Sequence, residues 1–366
     1  MRSAWKGSTI NNVNVFPRII ISLEIIEHNL ETLLRWYREK DIQITAVIKG
    51  VCASSEIAEL FSNHNIHSIG DSHIQSIKIM KDAGIDARFM LLRPPMRHEL
   101  EDVVNNADFS LNSEISTITR LNAAAEKFDK KASIILMIEL GDLREGILPT
   151  RVDEYIARIC KLANIHLAGI GTNLVCLNGI KPTPNNMNRL SAIAQKIEEK
   201  FDIHLDIISG GNSANYQWFR DADQVGRVNH LRIGESILFG TDPIAKSKID
   251  GLKGNAFLLS AEVIESKRKA SLPEGIPTFT AFGDKPRIKD EGEMNRAILG
   301  IGLQDLDIKG CKPVEKGIRV IGATSDHMVI ASRKRLLQVG EIVQFNLTYR
   351  AVLRLMISPY VLKVYS

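Results

Sequence analysis

From residue 18 to about 240, short β-branched apolar runs alternate with stretches of helical period, as expected when each parallel strand is followed by a crossover helix. The runs that read as strands are 44–49, 68–72, 88–92, 108–111, 134–140, 167–173, 205–209 and 230–234. Eight strands close a barrel, whereas open doubly wound sheets usually carry fewer, so the pattern predicts an α/β fold built on a (β/α)8 TIM barrel. The first helix is the plainest. With Ser22 as candidate N-cap, Ile26, Leu30, Leu33, Leu34 and Tyr37 share one face, while Glu24, Glu27, Glu31 and Arg38 lie mostly outside it.

Near residues 241–254 the helical period gives way to Thr-Asp-Pro, Lys-Ser-Lys and two glycines. Beyond them, 261–264, 297–301, 319–322, 328–331 and 341–347 read as strands of a mostly antiparallel β domain. The expected organisation is an N-terminal arm over 1–16, a barrel over 17–250 and a C-terminal β domain over 251–366. A chain of 366 residues that is 44% hydrophobic has the material for two such cores.

Charge and cysteine usage remove several classes of function. The 47 basic and 43 acidic residues are spread along the chain without the basic stripe that a nucleic-acid surface needs. Cys52, Cys160, Cys176 and Cys311 form no C-x-x-C pair, which argues against a zinc knuckle or redox motif and suits reduced thiols in the cytoplasm. No metal site is expected. Residues 1–16 are polar, and no apolar run approaches the roughly 18 residues of a membrane span, so neither secretion nor membrane insertion is indicated.

In such a barrel, chemistry gathers where strands end on the C-terminal face. Lys49 follows Thr-Ala-Val-Ile at the end of the first strand. A strand-end lysine often only snorkels to solvent. A desolvated one among other cations gives up its proton more readily, and the neutral amine condenses with an aldehyde such as that of pyridoxal 5′-phosphate.

The seventh strand runs into Ser209-Gly210-Gly211-Asn212-Ser213-Ala214, where glycines admit a close backbone approach and Ser213 can donate to a phosphate oxygen, with Asn212 beside it. The eighth runs into Leu231-Arg232-Ile233-Gly234-Glu235-Ser236. The loops after strands 7 and 8 are the recurrent phosphate site of this barrel. Arg232 would then lie between the phosphate loops and Lys49, where a guanidinium that only donates leaves a pyridine nitrogen unprotonated. An ion pair of Arg232 with Glu235 or Asp206 is the structural alternative. Arg144, in Gly141-Asp142-Leu143-Arg144-Glu145-Gly146, can orient a substrate carboxylate or pair locally with Asp142 or Glu145, and Asn173 ends strand 6.

The runs at 45–52 (Thr-Ala-Val-Ile-Lys-Gly-Val-Cys), 141–147, 209–214 and 229–235 resemble motifs of the fold-type III pyridoxal-phosphate enzymes, specifically the alanine racemase superfamily and its ornithine racemase branch. The resemblance runs from about residue 17 to the C-terminus. It implies pyridoxal 5′-phosphate as cofactor, Lys49 as its lysine, Arg232 at the pyridine nitrogen, and Ser213 with the amides of Gly234 and Glu235 as phosphate ligands. It also implies Arg144 on the substrate side, Asn173 where alanine racemases have a histidine beside the ring, and Tyr360 of Ser358-Pro359-Tyr360 as a further phosphate contact.

There are departures. Ala53 stands where those racemases have a phosphate-binding tyrosine, and Met137 where they have a lysine. The tyrosine that supplies the second proton-transfer group has no counterpart in Ile301-Gly302-Leu303-Gln304-Asp305. Asp305, Asp326 and His327 are the candidates, with Cys311 more distant.

The resemblance further implies a head-to-tail homodimer and a racemase acting on a small amino acid, ornithine or a related basic one. An alanine or broad-specificity racemase is the nearest alternative. A hydroxyamino-acid aldolase or dehydratase of the same fold would need a metal pair such as His-x-Cys or His-x-Asp, but His327 is followed by Met328 and Val329. A non-catalytic cofactor carrier would lack the appended domain.

Overall fold

The computed structural model describes residues 15–280, 282, 283, 285 and 288–366, so most of the arm expected over 1–16 lies outside the described residues. The chain forms two compact units, one of Leu23–Gly254 and one of Met1–Ser22 with Asn255–Ser366. The first strand, β1 (Arg18–Ile21), pairs antiparallel with residues 257–260 and parallel with 362–365, so it belongs to the second unit's sheet and not to the barrel that the sequence reading began at residue 17.

The barrel strands are β2 (Gln43–Val47), β3 (Ser68–Asp71), β4 (Phe89–Leu91), β5 (Phe109–Asn112), β6 (Ala132–Met137), β7 (Ile165–Gly171), β8 (Ile207–Asn212) and β9 (His230–Ile233), and they close in chain order with every pair parallel. Their near-continuous burial is what two covered faces require. The helices are α1 (Leu23–Arg38), α2 (Ser55–Ser62), α3 (Ile74–Asp82), α4 (Leu100–Asn106), α5 (Ile115–Lys127), α6 (Val152–Ile159), α7 (Pro184–Phe201), α8 (Tyr216–Asp221) and α9 (Glu235–Phe239). In α1 the buried stripe is Ile26, Leu30, Leu33 and Tyr37, the face the periodicity predicts. Buried Asn29 ties α1 to the end of the unit, donating to the carbonyls of Ile237 (3.0 Å) and Lys253 (2.8 Å) and accepting from the Lys253 amide (2.7 Å). Those bonds carry the barrel unit through residue 254.

The barrel core has two characters. From β4 to β8 it is apolar, with Met90, Leu111, Ile135, Met137, Ala168 and Ile207 in one cluster. Thr45, Ser68, Ser209, His230 and Arg232, from β2, β3, β8 and β9, are equally buried but joined by hydrogen bonds.

In the second unit, β12 (Phe257–Ala270), β13 (Glu293–Leu299), β14 (Cys311–Pro313), β15 (Ile318–Ala323), β16 (Met328–Ser332) and β17 (Ile342–Leu347) pair antiparallel in the order β14-β17-β12-β13-β16-β15. They follow a short hairpin of β10 (Thr241–Asp242) and β11 (Ser247–Lys248) that ends the barrel unit. A helix that the sequence reading did not anticipate, α10 (Tyr349–Ile357), buries Ala351, Val352, Leu355 and Met356 before β18 (Leu362–Tyr365) closes against β1. No helix among the described residues is long and apolar enough to cross a membrane.

Candidate active site

Lys49 stands just past β2, opening a 3₁₀ turn (Lys49–Val51), two residues beyond the strand that had been expected to include it. The turn runs into Cys52 and Ala53, both left-handed at φ 52°. Lys49 is exposed and makes no hydrogen bond or ion pair with the described residues.

The loop after β6 supplies Arg144. Gly146 closes it with φ +132°, and a Cβ there would lie 2.6 Å from the Glu139 amide, so the tight return needs glycine. Arg144 pairs with Glu145 through two N···O contacts of 2.6 Å, the local alternative that the sequence allowed. Burial raises the Glu145 carboxyl above its usual range, while Arg144, Arg232 and Lys49 pull it down. Three cations and two carboxylates, Glu145 and Asp142, thus act on one another here, a net positive charge suited to an anionic ligand. Asp142 serves a different end. Fully buried, it accepts from the amides of Leu177 (3.0 Å) and Asn178 (3.1 Å) and so pins the loop after β7.

β8 ends in the phosphate-type loop. Asn212 accepts from the Ala214 amide (2.8 Å) and donates to Asn173 Oδ1 and the Leu174 carbonyl, both at 3.0 Å, so its side chain joins the loops after β7 and β8. Ser213 Oγ accepts from the amides of Gly234 (3.2 Å) and Ser236 (3.3 Å), at the start of α9. Both amides are thus taken up by Ser213, whose own hydroxyl proton is left to donate, so the cradle for an anionic oxygen is a buried serine hydroxyl at a helix start.

Arg232 is 4% exposed. It forms neither suggested ion pair. Its Nη1 donates to Ser209 Oγ, and its Nη2 donates to the Thr172 carbonyl (2.7 Å) and Asn173 Oδ1 (3.3 Å). Burial lowers it to about 10, with Glu145 opposing the shift, and at neutral pH it stays a cation with donors to spare. Beside it, Thr172 Oγ1 is buried without a hydrogen-bond partner.

The barrel therefore brings Lys49, Arg144, Asn173, Asn212, Ser213, Arg232, Gly234 and Glu235 to the C-terminal ends of its strands. The remaining candidates belong to the second unit. Asp305 is buried and accepts from Ser358 Oγ (2.7 Å), which gives it a structural task. His327 is partly exposed where β15 turns into β16, its Nδ1 3.2 Å from Asp326 Oδ1. Tyr360 is 73% exposed. Burial pushes the Cys311 thiol up to about 12, which leaves it protonated and a poor proton-transfer group at neutral pH. Sequence reasoning missed Ser209, Thr172 and His230, because small polar residues and a histidine inside a strand carry no signal until their partners are known.

The family model for the alanine racemase N-terminal domain matches residues 21–243. The chain is 36% identical to an ornithine racemase from Acetoanaerobium sticklandii over 95% of its own length and 99% of the relative's. It is 38% identical to a lysine racemase from Thermotoga maritima, over 96% and 99%. In fold it is similar to the alanine racemase of Clostridium difficile 630, with a TM-score of 0.75, 21% identity and 97% of each chain covered. With the barrel, its glycine-rich cradle and a near end-to-end likeness to two racemases in agreement, this chain belongs to the alanine racemase family.

Proposed function

We propose that the protein is a pyridoxal 5′-phosphate-dependent racemase that interconverts the L and D forms of a basic amino acid, ornithine or lysine. The observation that carries this reading is the unpaired Lys49 at the mouth of a barrel whose adjacent loops hold an anion cradle and a buried arginine. The near full-length likeness to racemases of ornithine and lysine supports the substrate class.

The residues present fit the cofactor. The Ser213 hydroxyl and the amides of Gly234, Glu235 and Ser236 would hold the phosphate, and Arg232 would donate to the pyridine nitrogen and keep it unprotonated. The partnerless Thr172 Oγ1 marks a polar group that the protein alone leaves unsatisfied. Held by these residues, the cofactor would supply an electron sink that makes the Cα proton acidic once the substrate amine has taken the place of Lys49, whose amine is then free. Lys49 Nζ then takes or returns that proton on one face. Arg144 turns from Glu145 to the substrate carboxylate, and Glu145, once released, offers a carboxylate to a distal ammonium.

The second face needs its own acid. Between Asp305 and His327, the exposed imidazole paired with Asp326 suits proton exchange better than a carboxylate buried against Ser358. We assign it to His327, supplied by the second copy of a head-to-tail homodimer. Four free cysteines suit the cytoplasm.

The test is direct. Protein supplied with pyridoxal phosphate should show a visible absorption band and racemise L-ornithine or L-lysine, and Lys49→Ala should lose both. A protein that ignores the cofactor overturns the proposal.

A further inference from the structure

A line of hydrogen bonds crosses the barrel interior and ends on Arg232. Arg232 Nη1 donates to Ser209 Oγ, which is 2.8 Å from His230 Nδ1. His230 Nε2 is 2.8 Å from Thr45 Oγ1, and the line continues to Ser68 Oγ (2.7 Å) and His67 Nδ1 (3.2 Å). Thr45, Ser68 and Ser209 are wholly buried, and His230 is 1% exposed.

The direction of the first bonds follows from what each group can do. A guanidinium has no acceptor, so Ser209 Oγ must accept from Arg232. Its own proton has one remaining partner among the described residues, His230 Nδ1. His230 is therefore neutral with its proton on Nε2, which donates to Thr45. A protonated imidazole would turn a second donor on Ser209, strand the hydroxyl proton in a buried site, and set a cation beside Arg232. Burial, with the nearby His67, Arg232 and Arg88, favours the neutral form.

We infer that His230 is a positioning residue for Arg232: as the neutral Nε2–H tautomer it makes the Ser209 hydroxyl an obligate acceptor and fixes the orientation of the guanidinium that faces the cofactor ring. Three acceptors set that orientation, namely Ser209 Oγ, the Thr172 carbonyl and Asn173 Oδ1. Two of them are tied to a titratable side chain: Ser209 Oγ to His230 Nδ1 (2.8 Å), and the Asn173 amide, through its Nδ2, to Cys176 Sγ (2.9 Å). The inference rests on the assignment of Arg232 to the pyridine nitrogen made above.

Two measurements test it. In protein carrying 15N-labelled histidine, the His230 signals, assigned by their loss in His230→Gln or their shift in Ser209→Ala, should report an unprotonated Nδ1 and a protonated Nε2 from pH 6 to 9. An Nδ1–H tautomer or an imidazolium in that range overturns the inference, with or without bound cofactor. Ser209→Ala and His230→Gln should retain pyridoxal phosphate but shift its absorption band and lower kcat by about 10²-fold, with KM moving less than about 3-fold. Should His230→Gln fail to fold, Ser209→Ala and the wild-type tautomer decide. Wild-type spectra and kcat in a folded variant overturn the positioning role. A wild-type protein that binds no pyridoxal phosphate overturns the racemase proposal instead, and the tautomer measurement still stands.

Discussion

Gly211 opens the turn that presents Ser213, and Gly211→Ala tests whether that turn is as constrained as its geometry requires. At φ +142° the residue lies where side-chain-bearing residues are rarely found, a conformation that costs about 1–3 kcal/mol for alanine. An added Cβ would also lie 2.3 Å from Asn215 Oδ1. Asn215 cannot simply swing away. It is wholly buried, its Oδ1 accepting from the Asn212 amide (3.0 Å) and its Nδ2 donating to the Gly210 carbonyl (3.0 Å). Losing both bonds adds about 0.5–1.5 kcal/mol each, for a total of roughly 2–6 kcal/mol. For a unit of this size that lowers Tm by roughly 5–20 °C. The same displacement moves Ser213, so pyridoxal phosphate affinity, followed by fluorescence titration, should fall by about 10-fold or more. A Tm within about 2 °C of the wild type, together with an unchanged affinity, would refute the reasoning.

Asp142→Ala leaves the Leu177 and Asn178 amides of the loop after β7 without their carboxylate acceptor, and steady-state kinetics should show KM raised about 10-fold with a smaller change in kcat. An unchanged KM removes Asp142 from the account. The buried histidines predict a pH dependence of stability: His67 is lowered to about 4, by burial first and then by Arg88, against about 6.5 in the unfolded chain. Between those values the unfolded chain binds a proton that the folded one does not. Its contribution is therefore complete above pH 6.5 and is lost as the pH falls toward 4, at up to about 1.4 kcal/mol per pH unit. Urea unfolding from pH 7 to 5 should show a shallower decline in His67→Gln than in the wild type, and identical slopes contradict it.

The barrel was legible because strands such as β2, β4 and β6 are buried on two faces and read as apolar runs, and α1 because its stripe recurs at helical spacing. Ends were less legible. Residues 138–140 extend the apolar run of β6, but the chain has already turned, with Ile138 bridging Ile147. β1 escaped notice because its partners, β12 and β18, lie more than 200 residues away and four residues carry little periodicity of their own. In the site, Lys49, Arg232 and Ser213 stood out as polar groups where core packing would choose otherwise. Asp142, in contrast, was read as a local partner for Arg144, and only the amides of Leu177 and Asn178 reveal that it organises a loop. His230 was read as the start of a strand, since nothing in its neighbours along the chain points to Ser209 or Thr45.

The central claim, proton exchange at Cα directed by Lys49, is tested most directly by incubating the protein and pyridoxal phosphate with L-ornithine or L-lysine in heavy water. Both enantiomers should appear carrying deuterium at Cα, and Lys49→Ala should leave the L form undeuterated. Release of carbon dioxide, ammonia or an aldehyde, or a substrate that keeps its Cα proton, would contradict it.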